Sequence, residues 1–270
     1  ANEGFDVASR LNLIEAWVAS LSYTFQLYFD FSGYTDMAIG IALLFNIKLP
    51  INFNSPYKAT NIQDFWRRWH ITLSRFLKNY VYIPLGGSRR GEFRIYNNLL
   101  ATFIIGGVWH GAGWTFMFWG FLHGVALVVF RAWRKLGFKM WTWLAWLITF
   151  NFINIAWVFF RAKEWDDAVN IVVSMFDFDN IVLHPMIYSK LTFLTQYGIK
   201  YGGMFIHTSA DKYSIFIILS TLILILVFKN SAEKLNSFNF SLFSFLFSSL
   251  CFIVSVLTFE KVSDFLYFNF

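Results

Sequence analysis

Cysteine is almost missing from this chain. Cys251 is the only one in 270 residues, so no internal disulfide and no cysteine-ligated metal site can form, and no metal is expected. Charge is scarce as well, at 14% of residues where soluble domains carry roughly a quarter, which excludes an ordinary soluble fold. The segment Ala1-Asn-Glu-Gly-Phe-Asp-Val7 has no basic stretch followed by a short apolar core, so it does not read as a signal peptide. It also lacks an initiating Met, and we expect the continuation of something longer or a processed product.

What is present is apolar bulk: 57% of residues are hydrophobic and 22% aromatic. Runs long enough to cross a hydrocarbon core of ~30 Å recur along the chain. The expected architecture is all-α and polytopic, with spans at about 13–45, 99–130, 140–160, 213–228 and 238–259. The net charge of +6 resembles a nucleic-acid signal until it is located. Lys58, Arg67, Arg68, Arg75, Lys78, Arg89, Arg90 and Arg94 stand against only Asp64 and Glu92, and a second cluster, Arg131, Arg134, Lys135 and Lys139, follows the next apolar run. Basic clusters beside spans mark the cytoplasmic side and attract anionic headgroups, so the expected partner is the bilayer, with no nucleic acid.

Two Trp-His pairs stand well apart in the sequence, Trp69-His70 and Trp109-His110. The first belongs to a basic segment in which Ile62, Phe65, Trp66, Trp69, Leu73, Phe76, Leu77 and Tyr80 follow helical spacing, predicting an amphipathic helix over about 61–82, interfacial or re-entrant. The second lies in an apolar run rich in glycine, where Gly106, Gly107, Gly111, Gly113, Gly120 and Gly124 permit close helix approach. On one straight helix His110 and His123 would be separated by roughly 20 Å, at ~1.5 Å of rise per residue, and they are not expected to share a site. Taken alone, His110 reads either as a hydrogen-bonded buried histidine or as a functional group.

Asp30 and Asp36 sit inside the first span, where a break at Phe31-Ser-Gly-Tyr34 would let them cap or bridge neighbouring helices; a proton or substrate path is the other reading. Pro84-Leu-Gly-Gly-Ser-Arg-Arg-Gly91 lacks the spacing and Lys-Ser/Thr ending of a P-loop and reads as a headgroup-anchoring loop able to hold an anion. Residues 163–212 read as an exposed segment with short helices, its His184 and His207 as surface or interfacial groups.

Tyr28-Phe-Asp-Phe-Ser-Gly-Tyr-Thr-Asp-Met-Ala-Ile-Gly40, Phe65-Trp-Arg-Arg-Trp-His-Ile-Thr-Leu-Ser74, Tyr82-Ile-Pro-Leu-Gly-Gly87, Gly107-Val-Trp-His-Gly111, Trp157-Val-Phe-Phe-Arg-Ala162 and the Phe-Leu-Tyr-Phe-Asn-Phe end together resemble the membrane-bound O-acyltransferase (MBOAT) family. The resemblance is to its bacterial branch of alginate and peptidoglycan O-acetylation proteins and D-alanyl-lipoteichoic acid transferases. It covers almost the whole chain, although members are longer at the N-terminus, which implies spans ahead of Ala1. It implies that His110 is the catalytic base and His70 the second polar residue, with Thr72 where Ser is usual, and that His123 serves packing or lines a tunnel. It further implies acetyl-CoA as co-substrate with no permanently bound cofactor, a periplasmic SGNH-type acetyltransferase partner, and a multi-pass protein of the bacterial inner membrane. Arg67, Arg68, Arg89 and Arg90 are the candidate holders of the donor phosphates. A transporter or export scaffold with polar groups lining a path is the other reading, since intramembrane polar residues alone do not separate the two.

Overall fold

The computed structural model describes residues 2–8, 11–89 and 91–258; Arg90 and the Phe-Leu-Tyr-Phe-Asn-Phe end lie outside the described residues. After a short α1 (Asn2–Asp6), helix α2 (Leu13–Leu44) runs for 32 residues, about 48 Å at 1.5 Å per residue. It starts from a capping box in which the Asn12 side chain accepts from Glu15 N and Glu15 answers to Asn12 N. The expected break over 31–34 is not there. A single glycine costs a helix only ~1 kcal/mol, and nothing in that stretch removes a backbone donor. Asp30 and Asp36 therefore stay on different faces of one helix.

The predicted amphipathic helix over 61–82 is divided. α3 (Ile62–Arg68) and α4 (Ile71–Leu77) meet at His70, whose backbone is left-handed (φ 41°), and Lys78–Tyr82 continues as a π-helical turn. The cause is the irregular segment 52–54, which takes hydrogen bonds where a helix would have run on. Ile71 N donates to Asn52 O, and Asn54 N donates to Arg68 O. α3 buries Ile62, Phe65 and Trp66 among the other helices.

The single span expected over 99–130 is a hairpin. α5 (Glu92–His110) and α6 (Trp114–Lys135) are joined at Gly111-Ala-Gly113, with Gly111 extended and Gly113 the N-cap. At the open end Arg131 grips Glu92 with two bonds, Nε to Oε2 at 2.9 Å and an Nη to Oε1 at 3.1 Å. That guanidinium holds the Glu92 carboxyl below the usual carboxylate range. Both basic clusters thus gather at one end of the bundle.

α7 (Thr142–Arg161) passes through the middle, and its Trp157, Val158 and Ile153 are almost fully buried. α8 (Trp165–Met175) lies across α2 and accepts Trp17 Nε1 at Met175 O, 2.8 Å. The segment that follows holds β1 (Val182–Leu183), α9 (Tyr188–Leu191) and β2 (Lys200–Tyr201), a two-residue parallel pair that leaves the all-α reading intact. His207, expected to be a surface or interfacial residue, is exposed and at the same time tied to α2: its backbone N and its Nδ1 meet the buried Glu15 carboxylate at 2.7 and 3.0 Å. α10 (Lys212–Val227), α11 (Ser231–Asn236) and α12 (Leu242–Leu257) complete the described chain. Trp114–Lys135, Thr142–Arg161 and Tyr213–Asn236 are long and apolar enough to cross a membrane; α12, 16 residues long, is shorter than the span expected over 238–259.

Candidate active site

His110 is the last residue of α5, and the turn at Gly111 leaves its ring against aromatic walls. Trp119 of α6 stands perpendicular to it at 5.4 Å and Phe160 of α7 at 5.1 Å. His70 reaches the same place from the α3–α4 break. Both histidines line one small cavity, closed by Leu27, Trp66, Trp69, Leu73, Trp119, Trp157 and Phe160. Its volume is about 10 Å³, near the size of one water. Two histidines from distant parts of the sequence thus share one small cavity.

His70 is held by a residue that the sequence did not single out. Asn52 Oδ1 accepts from Thr72 N at 3.2 Å and from Thr72 Oγ1 at 2.6 Å, and lies 3.4 Å from His70 Nδ1. The Thr72 N–H can only donate, so the atom facing it is the amide oxygen, and His70 Nδ1 then carries the proton in the neutral ring. Nε2 is left as an acceptor. Phe31 closes the other side, edge-on at 4.9 Å. We expect Asn52→Ala to cost 10- to 100-fold in kcat with KM nearly unchanged, since it frees the His70 ring and the α3–α4 break together. A variant within threefold of the parent in kcat would remove Asn52 from the site.

His123 is not on this cavity. It is fully buried, one turn beyond Trp119, and its Nδ1 accepts from Trp66 Nε1 at 3.1 Å. The hairpin, rather than one straight helix, brings His110 and His123 against the two sides of Trp119, at 5.4 and 4.9 Å.

A second cavity of about 670 Å³ opens at the basic end, lined among others by Arg67, Lys78, Arg131, Arg134 and Lys135, with Leu99, Phe103 and Phe130 on its apolar side. Trp66 belongs to the walls of both cavities. Of the four arginines singled out, Arg67 lines this space. Arg68 turns away to Asp64, Nε to Oδ1 at 3.0 Å, and to the Asn54 carbonyl, while Arg89 is exposed in its loop and off the cavity. Besides Lys78, the cations that join Arg67 come from the C-terminal end of α6, which the sequence pattern assigned to headgroups. Among the described residues, Arg67, Lys78 and Lys135 are in no ion pair.

Residues 6–163 match the model of the membrane-bound O-acyltransferase family. Over its whole length the chain is 52% identical to a peptidoglycan O-acetyltransferase of Helicobacter pylori, of which it covers 52%. Over 67% of its length it is 46% identical to a probable alginate O-acetylase AlgI of Azotobacter vinelandii, covering 36% of that protein. A teichoic acid D-alanyltransferase of Bacillus subtilis is 35% identical over 53% of the chain and 40% of its own length. The chain spans about half the length of the first of these relatives and less of the others.

Proposed function

Since this chain belongs to the membrane-bound O-acyltransferase family, we propose that it carries the reaction centre of an O-acetyltransferase, drawing acetyl groups from acetyl-CoA on the cytoplasmic side of the bacterial inner membrane and delivering them to hydroxyls of an extracytoplasmic glycan. The observation that carries this reading is the shared cavity of His70 and His110, with a cationic cavity beside it across Trp66. Peptidoglycan is the favoured acceptor, because the relative similar over the whole chain is a peptidoglycan O-acetyltransferase. A periplasmic acetyltransferase of the SGNH type completes the delivery.

In this mechanism Arg67, Lys78, Arg134 and Lys135 receive the donor's phosphates, which long-range attraction concentrates at the mouth. The thioester reaches the histidine pair. His110, neutral, takes the proton of the acceptor hydroxyl as that oxygen attacks the thioester carbon. The new C–O bond forms, the C–S bond breaks, and the proton passes to the departing thiolate. His70, with Nδ1 tied to Asn52, offers Nε2 as an acceptor that orients the hydroxyl. It stabilises an oxyanion through Nε2 only after taking a proton itself, so a simple donor role does not suit the neutral ring.

The test is acetyl-CoA turnover by the protein in nanodiscs, scored both as thiol released and as acetyl ester formed on a glycan acceptor. Arg67→Ala combined with Arg134→Ala is expected to raise KM for acetyl-CoA by 10- to 100-fold at low salt, with kcat held and the salt dependence flattened. Substrate flux with no thiol released would replace the acyltransferase with the transport or scaffold reading.

A further inference from the structure

An acyl transfer needs a donor for the oxygen that becomes negative in the tetrahedral intermediate, and in the proposed mechanism both histidines have other work: the His70 Nδ1–H is tied to Asn52 and His110 is the base. Trp119 is 3% exposed, and its indole N–H is buried with no hydrogen-bond acceptor among the described residues. Leaving such a donor unpaired is unfavourable, and an unpaired buried group in a native core calls for an explanation. The ring is walled by others: Trp157 stacks on it at 5.7 Å, His123 and Phe160 pack at 4.9 and 5.0 Å, and Trp66 lies at 5.9 Å. None of the three carbon-faced neighbours accepts a hydrogen bond in the ring plane, and His123 Nδ1 is already taken by Trp66. What remains beside Trp119 are His110, perpendicular to it at 5.4 Å, and the cavity that both line together with His70.

We infer that the Trp119 indole N–H is the oxyanion donor of the transfer reaction, kept unpaired in the resting protein so that it pairs only with the oxygen of the tetrahedral intermediate. This inference rests on the acyltransferase reading above. In the step itself the carbonyl π electrons move onto oxygen as the acceptor oxygen bonds to carbon, and Trp119 donates to that oxygen. The electrons return when the C–S bond breaks, and Trp119 ends unchanged. A fixed donor needs no rearrangement at the moment of reaction, and one such donor is worth about 10²–10³ in kcat.

Trp119→Phe retains most of the ring and removes the donor. We expect kcat to fall about 10²-fold with KM for acetyl-CoA within threefold of the parent. A ketone analogue of acetyl-CoA that forms a tetrahedral adduct should lose affinity by about the same factor, while a thioether analogue, which has no electrophilic carbon, should bind unchanged. A purely structural tryptophan would weaken both analogues together, and that result overturns the inference, as does a kcat within threefold of the parent. Should Trp119→Phe not fold, the unmodified protein with ¹⁵N-labelled indoles decides: one indole N–H resonance moves downfield with the ketone and not with the thioether, and the absence of such a shift counts against Trp119. Failure of the acyltransferase reading looks different, because the unmodified protein would then release no thiol.

Discussion

His110→Ala is expected to lower acetyl-CoA turnover by about 10²- to 10⁴-fold while the protein stays monodisperse and binds the donor with an unchanged KM, the magnitude being that of losing a positioned general base. The unchanged KM follows from the proposed division of the site, in which the donor's charged portion would face Arg67 and its neighbours in the 670 Å³ cavity, on the far side of Trp66 from His110. Folding should survive because the ring is half-buried at a helix end and the walls around it, Trp119 and Phe160, pack on Trp157 as well. His184→Ala is the matched control. That imidazole is only partly buried and accepts from Met186 N in its own loop, and its loss should leave turnover within twofold. Thiol release followed optically, beside ester formation on the acceptor, gives both numbers. Equal turnover for His110→Ala and the parent would refute the assignment of the base.

Part of this site is legible in the sequence. The two Trp-His pairs, the helical spacing over 62–80 and the glycine-rich run are all visible there, because each is written in neighbouring residues. What stays hidden depends on contacts between distant ones. An apolar run from 99 to 130 reads as one span, since hydropathy does not register a turn; only Gly111-Ala-Gly113 marks the reversal, and glycine inside a span also signals close packing. The helix over 61–82 is interrupted at His70 with no glycine or proline present, because Asn52 and Asn54, from the preceding loop, supply the competing hydrogen bonds. Arg67 is legible as a cation near the mouth. Lys78 is legible beside it in the same basic segment; Arg131, Arg134 and Lys135 join them only because the hairpin returns α6 to the basic end. Glu15 carries a local signal only as the closing residue of the α2 capping box. Its partner, His207, is 192 residues away and reads as a surface histidine in an irregular segment.

Gly120→Ala is expected to destabilise the protein by about 2–3 kcal/mol or more and to reduce turnover at least tenfold in whatever protein still folds, since the same contact sets the position of His110. A Cβ built on Gly120 collides with the Phe103 carbonyl oxygen, and one built on Gly107 collides with the Phe116 carbonyl oxygen. In each case the Cβ also lies 3.3 Å from the other glycine's Cα. These are backbone obstacles on both sides, so no side-chain rotation relieves them and the two helices must separate, which is the expensive form of overpacking. Separation at this level levers α5 away from α6 one turn below His110 and draws its ring off Trp119. Gly40→Ala provides the contrast: nothing lies within 4 Å of its added Cβ, and alanine is favoured over glycine in a helix by about 1 kcal/mol. Thermal unfolding in nanodiscs should therefore move the midpoint down by roughly 4–12 °C for Gly120→Ala and leave it level or slightly raised for Gly40→Ala. Gly120→Ala as stable as the parent would mean that the helices do not approach as closely as their glycines allow, and the placement of His110 beside Trp119 would fall with that contact.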